Sequence, residues 1–290
     1  MEQRPMNVLI GIDLSGMDSV LASYLGDLAQ WMPLSKLVFL HNVKLSELPP
    51  SLKTPSKLTT ILQKIKDHIQ QTLTNSGVAH TQSQVIVTVE DYSEIAFTQQ
   101  AKHHAIDLVL LGNKIDMEGS GGLSHKLVRM LHIPVLLVPE TVEGRPMRIM
   151  EAVDFSKFTP SVVQWGEMIR GYNAQHQGFV CEPVYVSKMN YHFFPVFQGA
   201  DVDVSVQKDA VEKKKRWQQQ YPKLPALQVV EASETSVATA LLQYAKQHRY
   251  DVIIMGVQGV TSLTTLFAGS VANEMLQKEV QVCLLFVKVK

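Results

Sequence analysis

The chain carries one layout twice. Asn7-Val-Leu-Ile-Gly-Ile-Asp13 and Arg148-Ile-Met-Glu-Ala-Val-Asp154 are each a short apolar run ending in aspartate, 141 residues apart. Ile106-Asp-Leu-Val-Leu-Leu-Gly112 returns as Tyr250-Asp-Val-Ile-Ile-Met-Gly256, 144 residues on. Gly121-Gly-Leu-Ser-His-Lys-Leu-Val returns from Gly269 as Gly-Ser-Val-Ala-Asn-Glu-Met-Leu, offset 148, and each copy precedes a last apolar run, Val135–Val138 and Val282–Val287. Three anchors in one order with slowly drifting offsets indicate a duplication with small insertions. The period is far longer than that of solenoid repeats, so each copy is a whole domain. The segment Glu140–Pro146 is polar, contains Gly and Pro, and reads as a short linker. The expected domains are 1–142 and 147–290, packed together rather than swinging freely.

Within each half, short apolar runs alternate with helical patterns. Strands are expected at Val8–Ile12, Leu37–Val43, Gln84–Val89, Leu108–Leu111 and Val135–Val138, and again at Ile149–Val153, Phe179–Val186, Gln228–Val230, Val252–Met255 and Val282–Phe286. Alternation of strands and helices, with runs apolar on both faces, indicates α/β domains with open parallel sheets covered by helices on both sides. Asp91 followed by Glu94 reads as a capping box, and Thr159-Pro160 as a cap followed by the first helical residue.

Several function classes are disfavoured. Lysine plus arginine and aspartate plus glutamate both number 27, which argues against non-specific attraction to nucleic acid or anionic membrane. No stretch of about 18 apolar residues codes a membrane span, and the N-terminus does not read as a signal peptide. Cys181 and Cys283 lie in apolar stretches with no spacing to read, so buried free thiols in a reducing cytosol are expected. Neither a zinc-type histidine motif nor a serine nucleophile elbow occurs. Asn113-Lys-Ile-Asp116 imitates the guanine-specifying motif of GTPases, but the P-loop that motif requires is absent. Lys213-Lys-Lys-Arg216 reads as a solvated helix face, and His192–Phe197 as an apolar packing loop.

The second half holds a constellation that points to a ligand. In open α/β sheets ligands sit at the carboxyl ends of strands, where strand order reverses. Asp154 follows the first strand. Gly256-Val-Gln-Gly259 follows the fourth, and nine residues separate Gly259 from Gly269-Ser270, which opens a helix. Glycines let backbone N–H groups approach an anion, and a helix N-terminus adds free donors and a favourable dipole. Ser270, Thr261 and Ser262 carry hydroxyls that can add donors. Asp154 suits ribose hydroxyls or a base amine. The combination suggests a nucleotide. In the first half Asp13 persists, but Ile115 stands where the second glycine belongs and Gly122 replaces the serine. Asp116 and Glu118 put like charge near any phosphate, so this half is expected to bind nucleotide weakly or not at all.

Ala152-Val-Asp-Phe-Ser156, Ile253-Ile-Met-Gly-Val-Gln-Gly259 and Ala268-Gly-Ser-Val271 resemble a universal stress protein domain of the ATP-binding type, whose signature G-x2-G-x9-G-[ST] this half meets without a gap. With the first half sharing the layout, the chain resembles tandem universal stress proteins. The resemblance implies a five-stranded parallel sheet per domain in order 3-2-1-4-5, and pairing of the halves as a pseudo-dimer, with a homodimer of whole chains as a further option. It implies an adenine nucleotide, ATP, ADP or AMP, with Mg2+ carried on the phosphates. Asp154, with Ala152 and Val153, would contact the nucleoside, Val186 would read adenine through its backbone, and Met255, Gly256, Gln258, Gly259, Gly269, Ser270 and Val271 would surround the phosphates. Many members carry Arg or His where this chain has Gln258, and no Lys or Arg lies from Val252 to Gln277. AMP or ADP is therefore expected to bind about as well as ATP. The reading is a cytosolic nucleotide-binding stress-response or regulatory protein with at most slow hydrolysis. The alternatives are a nucleotide-independent scaffold, or a nucleotidyl transferase, which would need a second substrate pocket.

Overall fold

The computed structural model describes residues 4–77, 83–114, 122–188, 200–232, 235–257 and 269–289, with backbone alone at 200–206. By contacts the chain divides into two compact units, Met1–Pro146 with Glu279–Lys288, and Met147–Lys278 with Val289–Lys290.

The first unit runs β1 (Met6–Gly11), α1 (Met17–Trp31), β2 (Leu34–Val43), α2 (Pro55–Asn75), β3 (Ser83–Val89), α3 (Ser93–His103), β4 (Leu108–Asn113), α4 (Gly122–Met130) and β5 (Val135–Pro139). The strands are parallel in order β3-β2-β1-β4-β5, as the resemblance implies. Val8, Leu9 and Ile10 in β1 and Leu108, Val109 and Leu110 in β4 are wholly buried, because helices cover both faces of a parallel sheet. Helix α1 shows how: Met17, Leu21, Leu25, Leu28 and Trp31 recur at helical spacing and all are buried.

The second unit runs β6 (Arg148–Ala152), α5 (Thr159–Asn173), β7 (Val180–Lys188), α6 (Ala200–Gln220), β8 (Gln228–Ala232), α7 (Val237–Gln247), β9 (Val252–Gly256) and α8 (Ser270–Gln277). Its strands lie parallel in order β9-β6-β7-β8, which is 4-1-2-3 within the repeat. The last strand, β10 (Cys283–Val287), counts with the first unit, where Leu284, Leu285 and Phe286 pair antiparallel with Leu137, Leu136 and Val135 of β5. Among the described residues this is the one antiparallel pairing beside the parallel ones of the sheet. β5 would otherwise be an edge strand with unpaired backbone groups, and β10 satisfies them.

The duplication extends to backbone detail. Leu14 and Phe155, each directly after its aspartate, have φ of 64° and 55°, and Ala105 and Arg249 have φ of 48° and 54°. Asp107 accepts the amide of Asn7 at 3.0 Å, and Asp251 accepts that of Arg148 at 2.8 Å, fixing the start of the first strand in each half. Two expected caps differ. Tyr92 stands at the N-cap of α3 with no side-chain cap bond. Thr159 is already helical, and its hydroxyl turns back to Asp154 at 3.2 Å. Both cysteines are buried thiols outside any disulfide, as expected.

Candidate functional site

At the carboxyl ends of β6, β7 and β9 lies a cleft of about 250 Å³. Ala152, Val153, Asp154, Val186, Met255, Gly256, Gly269, Ser270 and Val271 all line it. These nine come from four separate stretches of sequence. Gln258, Gly259, Thr261 and Ser262 fall outside the described residues, as does His192–Phe197.

Each wall has a local cause. The Asp154 Oδ1 atom accepts the amide of Ser156 at 2.9 Å and the hydroxyl of Thr159 at 3.2 Å. The first bond closes a tight turn through Phe155, whose left-handed backbone is uncommon for an aromatic residue. The turn ends β6 and holds Asp154 at the cleft while Oδ2 makes none of these bonds. Opposite it, Gly269 donates to Val257 O at 2.7 Å and accepts from Asn273 at 2.8 Å, starting α8. The first amides of an α-helix have no intrahelical acceptor, so the Ser270, Val271 and Ala272 end is a donor surface on the cleft. Ser236 caps α7, accepting the amide of Thr239 at 3.1 Å, and its hydroxyl donates to Glu274 of α8, tying the two helices together. Tyr185, also in the lining, has its hydroxyl pushed up to about 12 by burial, then by Asp209 and Asp154.

Among the described residues no cation lines this cleft. Positive charge gathers around the turn after Asp154. Arg216 lies 4.8 Å and Lys213 5.6 Å from the Phe155 ring centre, and Lys157 lies 5.5 Å from that of Phe158. Of the basic run in α6, Lys214 and Lys215 are exposed as expected. Lys213 is instead held against rings and beside Asp209 at 3.6 Å. That contact depends on where α6 packs, and a run of like charges does not reveal it.

The first half also has a cleft, of about 310 Å³, lined among others by Asp13, Asp18, His41, Gly112 and Lys114. Asp13 repeats the turn of Asp154, accepting Ser15 N at 3.2 Å. Ile12 N bonds Leu40 O as Val153 N bonds Val184 O, which aligns Asn42 with Val186. Two residues were missed by sequence reasoning. Lys114, read only as part of a false GTPase motif, pairs with Asp13 Oδ2 at 2.6 Å. Burial alone would raise the Asp13 carboxyl, but the bonds from Lys114 and Ser15 outweigh it and hold it low. Asp18, at the position of Thr159, accepts the amides of Asp13 and Leu14 at 3.1 and 2.9 Å. Ile115, Asp116 and Glu118 lie outside the described residues.

Burial raises the Asp18 carboxyl to about 6. A folded-state value above the unfolded one means the folded state holds that proton more tightly. The associated stability is therefore fully present below about pH 4 and lost as pH rises through 6. At 1.36 kcal/mol per unit, the loss approaches ~3 kcal/mol. Urea denaturation from pH 4 to 7 should show Asp18→Asn lacking this decline. Parallel profiles for the two proteins would refute the assignment.

Among the described residues no group of three or more His, Cys, Asp or Glu is placed to hold a metal ion, and no helix is long and apolar enough to cross a membrane.

Comparison with known proteins agrees with this geometry. Residues 146–279 match the model of the Universal stress protein family. This Usp segment contains every strand and helix that lines the second cleft. Among solved structures, a universal stress protein from Archaeoglobus fulgidus DSM 4304 is 16% identical, covers 98% of this chain and 97% of its own, and has a TM-score of 0.64. A functionally unknown protein from Pseudomonas aeruginosa PAO1 is 15% identical over 99% of this chain and 93% of its own, with a TM-score of 0.62. These likenesses establish the α/β fold over both halves. A universal stress protein from Archaeoglobus fulgidus in complex with dAMP covers 46% of this chain and 96% of its own at 9% identity, with a TM-score of 0.33, and at that level transfers no ligand. No curated protein matches the chain in sequence.

Proposed function

We propose that the cleft between Asp154 and Ser270 binds an adenine nucleotide, and that the protein acts as a cytosolic nucleotide-binding regulator of the universal stress protein type rather than as an efficient enzyme. One observation carries the reading: nine residues singled out by the signature and its flanking strands line one cleft. An acceptor faces a helix-end donor surface there, as a ligand with hydroxyls at one end and an anion at the other requires. Gln258 and Gly259 belong to the proposed site through the signature. With no Lys or Arg from Val252 to Gln277 and no cation among the described lining residues, AMP, ADP and ATP should bind with similar affinity, Mg2+ accompanying the phosphates. Pairing of the two halves within one chain is part of the proposal, as the repeated layout suggests.

The test is to denature purified protein and identify the released small molecules by mass spectrometry, then to follow melting with millimolar AMP or ATP. A ligand at about 100 times its Kd stabilises by about 2.7 kcal/mol. An adenine nucleotide among the released molecules, or a clear rise in Tm, is expected. Finding neither rejects the reading in favour of a nucleotide-independent scaffold.

A further inference from the structure

The first-half cleft is not a damaged copy of the second. It is the larger of the two, and each of its lysines is paired with a carboxylate. Lys114 pairs with Asp13 at 2.6 Å, and Lys44 pairs with Glu47 at 2.7 Å. The remaining acid, Asp18, is 6% exposed and accepts two backbone amides. Among the described residues, an anion entering here meets three carboxylates against two lysines that already have partners. A phosphate near an uncompensated carboxylate in a partly desolvated cleft is repelled. A cation finds its natural acceptor, Asp13, already neutralised. The charge inventory leaves an uncharged ligand.

The polar groups say what that ligand carries. Asp13 keeps 51% of its side chain exposed to the cleft, whereas Lys114 is only 11% exposed. Carboxylate and ammonium thus form an acceptor and a donor side by side, the arrangement that vicinal hydroxyls satisfy by donating to one and accepting from the other. His41 adds a further acceptor. Its Nδ1 lies 2.8 Å from Ile12 O, which can only accept, so Nδ1 carries the proton and Nε2 is the bare nitrogen. Burial lowers the His41 pKa and keeps the ring neutral. Leu21, Phe97 and Leu111 supply an apolar wall for a ring, and about 310 Å³ is at the small end of ligand cavities.

We propose that the cleft at Asp13, His41 and Lys114 is a second binding site, selective for an uncharged ligand bearing vicinal hydroxyls on a compact ring, a nucleoside or free sugar without phosphate. This inference is independent of what binds beside Asp154.

The test uses the full chain carrying Asp154→Ala, so that binding in the other cleft is weakened, and reads only groups that line the first. Adenosine, D-ribose and AMP are titrated while the methyl resonances of Leu21 and Leu111 are followed. Adenosine or ribose should shift these methyls, and AMP should bind at least about tenfold more weakly than adenosine. Adding Lys114→Gln should weaken the hydroxylated ligand about tenfold or more. Ribose acting alone assigns the site to sugars, and adenosine alone to nucleosides. Silence of both methyls with millimolar adenosine and ribose overturns the proposal. So does AMP binding as tightly as adenosine, or affinity indifferent to Lys114→Gln. Because the methyl shifts are read without Lys114→Gln, a misfolded variant does not decide the outcome.

Discussion

Cutting Glu151 back to alanine is expected to cost about 3–5 kcal/mol of folding stability. Glu151 sits in the middle of β6 with no solvent exposure, and its carboxylate is 2.9 Å from Nη2 of Arg170, itself 20% exposed. The contact is a buried ion pair within hydrogen-bonding distance. Burial pushes the Glu151 carboxyl up, and the neighbouring guanidinium opposes this. The Arg170 Nη1 atom reaches Cys181 O at 3.1 Å and Sγ at 3.3 Å, so the guanidinium joins β7 to α5 as well. Alanine at 151 leaves that cation buried without its counter-charge, the costly half of a broken pair. The double change Glu151→Leu with Arg170→Leu removes both charges and should recover most of the loss. Gly166→Ala tests the same cluster from the other side. A Cβ at 166 would stand 1.4 Å from Glu151 Oε1, so the carboxylate must move. Urea denaturation followed by circular dichroism measures all three. A loss below about 1 kcal/mol for Glu151→Ala would show that the pair contributes little.

Asp154→Ala is expected to weaken AMP and ATP binding by about 10- to 150-fold, the loss of a charge-assisted hydrogen bond worth about 1.5–3 kcal/mol. The Asp154 Oδ1 atom is engaged by Ser156 and Thr159, which fix the carboxylate so that Oδ2 meets a ligand without reordering. Because the contact lies on the nucleoside rather than the phosphates, the factor should be similar for AMP and ATP. The matching change Asp13→Ala should leave nucleotide affinity unaltered. Titration calorimetry on the two variants checks both statements. Equal loss from Asp13→Ala, or none from Asp154→Ala, would move the nucleotide to the first half or out of both.

How much of this was legible in advance depends on the range of the interaction. Strand positions followed from short apolar runs, since a strand buried on both faces needs apolar residues at every position, as in Leu108–Leu111. Asp154 and Ser270 come together because a parallel sheet brings the carboxyl ends of its central strands to one side, whatever the intervening sequence. Glu151 is a buried acid within the apolar run of β6. Its partner lies on α5, and Gly166 and Arg170, one helical turn apart, were the only local trace of a carboxylate that needs room and a counter-charge. Lys114 was hidden in a motif borrowed from another fold.

The sequence by itself determined the duplication, the fold class and the residues that gather at the second cleft, because periodicity, glycine freedom and helix-end polarity act within a few residues and survive any packing. The tertiary structure alone decided that β10 pairs antiparallel with β5, that Lys114 neutralises Asp13, and that Lys213 and Arg216 rest on Phe155. Edge pairing and charge pairing are chosen by which surfaces meet, and residues more than a hundred positions apart carry no local signature of that meeting.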